Sequence, residues 1–298
     1  MFTVSAGLIR IPFGFEVQER DQVRPFLERA QVLRALFPGE FDVGAQLSVR
    51  YHFVGLSLAV MNGHPIGDKV FPALAPTRGK EFIGRVFAKF EVVPHIHFGI
   101  GASLDEGKGF RAGTPTTKDQ LVWRDDNGDG IVQSTEIQVV AGVSGTASAQ
   151  FHRYALGADA QLSIDWWPLG EFTIRSELVR ATNLDRGLEL ADPIGAGYDL
   201  REWGWYLGFA QEITPYAMLG IRYDRYNPDA DRTSPLVATR VPIDRTYTTS
   251  AFMAMLRYDN ARLVVEFDKS RNALGRAPNG LPTTLKSDSV VVRGQVVF

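Results

Sequence analysis

The sequence predicts an all-β chain, a transmembrane antiparallel β-barrel of about twelve strands. Three observations predict it. Apolar residues recur at every second position through most of the chain, while helical periodicity is nearly absent. The connections alternate between tight turns and long polar loops. The last stretch is a half-apolar strand that closes the chain on Phe298, the usual C-terminus of a bacterial outer-membrane barrel. Alternation gives each strand one apolar and one polar face, and short turns at one rim with long loops at the other are the outer-membrane arrangement.

Taken in order, strands are expected at about 2–11, 40–50, 53–61, 80–91, 95–104, 150–166, 170–181, 200–212, 215–226, 246–258, 260–269 and 287–298. In the second, Val43, Ala45, Leu47 and Val49 oppose Asp42, Gly44, Gln46, Ser48 and Arg50. The sixth is the clearest: Tyr154, Leu156, Ala158, Ala160, Leu162, Ile164 and Trp166 share one face, with Gly157, Asp159, Gln161, Ser163 and Asp165 on the other. The eighth sets Trp203, Trp205, Leu207 and Phe209 against Glu202, Gly204, Gly208 and Glu212, and the eleventh sets Leu263, Val265 and Phe267 against Arg262, Glu266 and Asp268. In the last, Val290, Val292, Val296 and Phe298 oppose Ser289, Arg293 and Gln295. Most stretches approach or exceed the roughly 9–11 residues that a tilted membrane strand needs.

Tyr51-His52, Val92-Val93-Pro94, Trp167-Pro168-Leu169, Ile213-Thr214-Pro215 and Asp259-Asn260 are the tight turns, expected on the periplasmic side. The long loops, expected outside the cell, are 12–39, 62–79, 105–149, 182–199, 227–245 and 270–286. The even strand count returns Phe298 to the short-turn rim. Aromatic residues fall near both rims, with Tyr51, Phe90, Trp166, Trp167, Tyr216 and Tyr258 at the short turns and Trp203, Trp205, Tyr226 and Tyr247 toward the long loops. That matches two membrane-interface girdles. The whole chain, 1–298, reads as a single barrel domain.

Composition agrees. The chain has 298 residues, no cysteine and a net charge of −2. Disulfide scaffolds and zinc-thiolate sites are thereby excluded, and no global field points to nucleic acid. Mean hydropathy is −0.09, and no apolar run nears the roughly 18 residues of a spanning helix. No signal peptide is visible after Met1, so the chain is expected to be mature or trimmed.

The first third carries a resemblance. Ala6-Gly7-Leu8-Ile9-Arg10-Ile11-Pro12-Phe13-Gly14-Phe15-Glu16 leads into Arg24-Pro25-Phe26-Leu27-Glu28-Arg29-Ala30, then Phe37-Pro38-Gly39-Glu40-Phe41 and Val60-Met61-Asn62-Gly63. This stretch resembles the phosphate-selective porin O and P family of Gram-negative outer membranes; the later strands match only in style. The resemblance implies a porin for passive diffusion of small anions, phosphate-like oxyanions above all, assembled as a homotrimer in the outer membrane and inserted by the barrel-assembly machinery. Members usually have sixteen strands, with extra strands and a signal peptide at the N-terminus. The chain is therefore expected to be either the C-terminal portion of such a porin or a twelve-stranded barrel.

Candidate pore residues follow. The 12–39 loop carries Arg20, Arg24, Arg29 and Arg34, interleaved with Glu16, Glu19, Asp21 and Glu28. Folded inward as a constriction, these arginines would attract oxyanions bidentately; the alternative is a solvated loop whose arginines pair with its own glutamates. The inward strand faces add Arg50, Arg85, Lys89, Arg175, Arg222, Arg257, Arg262 and Arg293, though inward acids outnumber them. Phosphate selectivity thus comes from the resemblance, and a general diffusion pore remains open.

Residues 125–136 fit a calcium-loop pattern, with Asp125, Asn127, Asp129, the Ile131 carbonyl, Gln133 and Glu136 as ligands and Gly130 at the sharp turn. Calcium there would stiffen the 105–149 loop. His95 and His97 share a face but lack a third ligand. No catalytic set is expected. An outer-membrane phospholipase-type barrel would need a His–Ser pair, and His52, His64 and His152 have no serine in a recognisable motif. A plugged surface or adhesin barrel is the other alternative.

Overall fold

The computed structural model describes residues 2–166, 168–233, 243–278 and 282–296. It is all-β, with twelve strands in one antiparallel sheet. These are β1 (Phe2–Arg10), β2 (Phe41–Tyr51), β3 (Val54–Met61), β4 (Glu81–Val93), β5 (Ile96–Arg111), β8 (Ala149–Trp166), β9 (Gly170–Thr182), β10 (Arg201–Thr214), β11 (Ala217–Asn227), β12 (Tyr247–Tyr258), β13 (Ala261–Arg276) and β14 (Pro282–Val296). They lie in sequence order, β1 at one end and β14 at the other. Residues 110–151 form a separate compact unit, which contains the hairpin of β6 (Gln120–Trp123) and β7 (Ile137–Val140), with Leu121 opposite Val139.

Each strand pairs with its predecessor in register, as in Gly44 opposite Met61 and Ala251 opposite Asp268. The tight turns need left-handed backbone: His52, His95 and Asp259 have φ of 49°, 73° and 49°, and Gly170 has 90°.

All twelve expected strands are present. Three are longer than alternation indicated: β5 runs to Arg111, β13 to Arg276, and β14 starts at Pro282. There the apolar row gives way to Glu106 and Lys108, or Lys286 and Asp288, so the strand continues without a period-2 signal. Phe298 and Trp167 lie outside the described residues. Tyr226 and Tyr247 are not part of an outward girdle. Both are buried, their hydroxyls donating to Asp185 (2.8 Å) and Glu189 (2.6 Å).

Burial across the sheet is inverted. The exposed rows are Leu56, Leu58 and Val60 on β3, Ile100 and Leu104 on β5, Leu219 and Ile221 on β11, Phe252 on β12 and Leu263, Val265 and Phe267 on β13. The buried rows are Glu81 and Arg85, Glu177, Glu202, Arg222 and Asp224, and Glu266 and Asp268. Arg222 heads the largest fully buried side chains. In water the preference is the reverse.

The 12–39 loop contains a helix that alternation did not reveal, α1 (Gln31–Leu36). Val32, Leu33, Ala35 and Leu36 are buried against β10, β11 and β12. Ile11, Phe13, Val17 and Phe37 join them in one apolar cluster with Met61, Ile83, Val179 and Leu184. Phe13 stacks on Phe37 at 4.4 Å between ring centroids. The apolar core on the sheet's buried face is therefore supplied largely by this segment.

Candidate functional site

Irregular backbone cannot be buried unless its N–H and C=O groups find partners. Residues 11–40 solve this with the charged side chains of the buried strand faces. The Glu16 amide donates to Glu177 on β9 (2.5 Å), the Gly14 amide to Ser103 on β5 (3.0 Å), and the Leu27 amide to Glu266 on β13. In the other direction, Arg222 on β11 donates to the Glu28 carbonyl (2.7 Å). Arg262 on β13 donates to the carbonyls of Gln22 (2.6 Å) and Arg24 (2.5 Å), and Arg293 on β14 to that of Asp21 (2.6 Å). One face of the sheet thus holds the segment from β5 to β14.

Shape complements charge. Gly157 on β8 faces the Phe13 ring, and a Cβ there would lie 2.8 Å from it. A Cβ at Gly204 on β10 would lie 2.7 Å from Val32. Both glycines are sockets for side chains of the segment.

The arginines named from the sequence divide by role. Arg24 is buried, paired with Asp21 at 2.8 Å and bonded to the Phe26 carbonyl. Arg29 donates to the carbonyls of Phe37 (2.9 Å) and Pro38 (3.0 Å). Arg34 is exposed, 3.4 Å from Glu28, and Arg20 is exposed. Arg85 pairs with Asp159 through both nitrogens, at 2.5 and 2.9 Å. Arg175 donates from one nitrogen, Nη1, to both carboxylate oxygens of Glu19 and lies over the Phe15 ring, which Lys89 also approaches. Arg257 pairs with Glu212 at 2.6 Å, and Arg50 is exposed near the end of β2. Burial raises the Glu19 carboxyl above its usual range, with Arg175 pulling the other way.

Two buried clusters dominate. In one, Arg222 lies 3.4 Å from Glu16, 3.6 Å from Asp224 and 3.7 Å from Glu266, with the Phe26 ring beneath its guanidinium at 4.8 Å. In the other, Glu81 receives Arg153 (2.9 Å) and Arg186 (3.1 Å), and Arg186 also reaches Asp105 at 3.7 Å and the Gly63 carbonyl at 2.7 Å. Burial works against the Arg186 charge, but Glu81, Asp105 and Asp68 outweigh it and hold the guanidinium more firmly protonated than usual. Nearby, burial would raise the Asp68 carboxyl, yet bonds from His64 and from the Phe71 and Val70 amides bring it down to about 2.

Sequence reasoning missed Asp105, Arg153 and Arg186. Parity could have found the first two, since Asp105 continues the inward row of Ser103 and Arg153 precedes the outward Tyr154. Arg186 lies in a loop and carries no such signal.

In the 110–151 unit, Asp125 accepts bonds from the amides of Gly128 (2.7 Å), Asp129 (3.1 Å) and Gly130 (2.8 Å). Gly128 and Gly130 are left-handed, with φ of 74° and 71°. Asn127 and Gln133 donate to Asp129, and the Ile131 amide also bonds to it. Glu136 is buried and accepts from the Trp123 indole at 3.1 Å. Asp125, Asn127, Asp129 and Gln133 are thus gathered, while Glu136 is turned to the hairpin. Among the described residues no group of three or more His, Cys, Asp or Glu converges as a metal site. His95 and His97 are both exposed, and His95 lies 3.5 Å from Asp165. His64 and His152 face the carboxylates of Asp68 and Glu106. No protein-family model matches the chain, and no curated protein matches it.

Proposed function

We propose that the chain forms a transmembrane β-barrel of a bacterial outer membrane, with a lumen narrowed by residues 11–40 through which small polar solutes diffuse. The observation that carries this reading is the inverted burial. Soluble proteins rarely expose contiguous apolar patches beyond a few hundred Å². Here an apolar row crosses the sheet while Arg222, Glu81, Glu177 and Glu202 are buried behind it. An apolar solvent such as lipid favours that arrangement, and in lipid the backbone must be paired in a closed sheet. We infer closure through the β1 and β14 edges, with each other or with further strands.

The resemblance to the phosphate-selective porins favours a passive pore and a trimer. The inner arginines do not add an anion preference, because Arg24, Arg29, Arg85, Arg175 and Arg222 are engaged by carboxylates and carbonyls. The apolar contacts of 11–40 favour a second reading, a barrel plugged by this segment. Planar-bilayer recording on the refolded chain separates the two. Ohmic steps are expected; a silent bilayer that conducts once residues 16–36 are deleted identifies a plug. No current from either form removes the pore reading.

We further propose that residues 125–136 bind calcium, with Asp125, Asn127 and Asp129 as first ligands and Glu136 swinging in from Trp123. The wound loop and its two left-handed glycines support this. Calcium is expected to slow proteolysis within 110–151 and chelator to restore it. Equal cleavage rates in both would refute the site.

A further inference from the structure

Beside α1 lies a cavity of about 260 Å³, bounded by the Glu28–Arg34 stretch and the inner faces of β11 to β14. Its strand wall is rich in oxygen: Asp224, Asp268, Thr249, Ser270, Ser287 and Ser289 all line it. Asp224 and Asp268 are 1% and 5% exposed, and Oδ1 of each has no hydrogen-bond partner. The Thr249 and Ser270 hydroxyls bond to each other at 3.1 Å, and both residues line the cavity.

The charges around it do not balance. Glu16, Asp224 and Glu266 all face the one guanidinium of Arg222, and Asp268 feels the same charge. Arg34 is matched by Glu28 at 3.4 Å, and Arg29 is turned to the Phe37 and Pro38 carbonyls and to Glu40. Among the described residues, Arg271 is the remaining cation of the wall. Glu266 and Asp268 are hydrogen-bonded to each other and so share one proton, which leaves three negative charges facing two guanidiniums, an excess of one (3 − 2) in a buried place. Buried carboxylates without a counter-charge are strongly unfavourable. Both Asp224 and Asp268 line the cavity, so a mobile counter-charge can reach their carboxylates.

We propose that this cavity binds a hard monovalent metal cation, potassium or sodium, which keeps part of its water and is held by Asp224 and Asp268 with the Thr249 and Ser270 hydroxyls. All-oxygen donors select hard cations. A cavity of this size admits an ion with several waters. Ionic current past α1 then prefers cations. That second statement rests on the pore reading; the binding site does not.

Two measurements test it. The first compares thermal unfolding of the detergent-folded chain in potassium chloride and in choline chloride of equal strength, with chelator present to keep the outer loop metal-free. A higher Tm in potassium is expected, and the difference vanishes in Asp224→Asn/Asp268→Asn. Should that double variant fail to fold, Ser270→Ala retains the charges and is expected to reduce the difference. Equal melting in the two salts overturns the proposal, as it must if protons neutralise the cluster instead. The second is the reversal potential in a potassium chloride gradient. Potassium is expected to permeate several-fold better than chloride, with the ratio falling toward one in the double variant. A wild-type current that prefers chloride also overturns the proposal. Absence of current combined with salt-dependent melting removes the pore reading and supports the cation site.

Discussion

Replacing Arg222 with methionine tests how residues 11–40 are held. The guanidinium is fully buried, lies within 3.7 Å of Glu16, Asp224 and Glu266, and donates to the Glu28 carbonyl at 2.7 Å. Methionine keeps much of the volume over Phe26 and removes the charge. Taking away one partner of a buried ion pair costs about 3–5 kcal/mol, because the other is left uncompensated. At roughly 1.4 kcal/mol per factor of ten, the docked state of the segment weakens by about two to nearly four orders of magnitude. The amides of Glu16, Leu27 and Ala30 report it directly, since they donate to Glu177, Glu266 and Glu16. Hydrogen exchange in detergent micelles should show these amides losing protection by that factor, while β2 and β3, on the far side of the sheet order, keep theirs. Unchanged protection at 16–30 would refute the idea that Arg222 anchors the segment. Equal loss in the segment and in every strand would show that the cluster stabilises the sheet as a whole.

Other predictions are briefer. Leu58→Arg, on the exposed row of β3 opposite Leu47, should cost about 2–4 kcal/mol when folding into lipid vesicles is measured against urea, the penalty of a lipid-facing charge; no cost would contradict a membrane-facing row. Asp68 has a folded-state value of about 2, below the roughly 3.9 of an unfolded chain. Its contribution, on the order of 2 kcal/mol, is present above pH about 4 and is lost as pH falls toward 2. Asp68→Asn should flatten that part of the stability profile in acid melts, and an unchanged slope would count against it. Phe37→Ala should destabilise the docked segment by about 3–5 kcal/mol through loss of the Phe13 stack and a cavity; exchange at the Val32 and Leu33 amides checks it.

The strands were legible because this antiparallel sheet separates its two faces residue by residue. Val43 to Arg50 and Tyr154 to Trp166 state their orientation without any tertiary knowledge. Legibility ended where that contrast ended, at Asp105–Arg111 on β5 and Ser270–Arg276 on β13. It also failed for α1, because six residues hold less than two helical turns and Val32, Leu33 and Leu36 could belong to any buried loop. The inward charges could be counted, but their pairing could not be read. Arg222 meets Glu16 across 206 positions and Arg85 meets Asp159 across 74, distances over which only the folded sheet decides. Tyr226 and Tyr247 misled for a related reason: an aromatic near a rim suits an interface girdle, yet Asp185 and Glu189 draw both hydroxyls inward.

The glycine sockets at Gly157 and Gly204 carry a consequence for engineering. They are a mould of Phe13 and Val32 impressed on two strands far along the chain. Transplanting residues 11–40 onto another sheet should therefore fail wherever the host has side chains at the corresponding positions, however well the loop ends match. Conversely, the segment need not be deleted to unseat it: a side chain at Gly157, which meets only Phe13, would deny it a seat, whereas one at Gly204 would also meet the Arg225 carbonyl on β11. Loop and wall form one inheritable unit, and a change in either is constrained by the other.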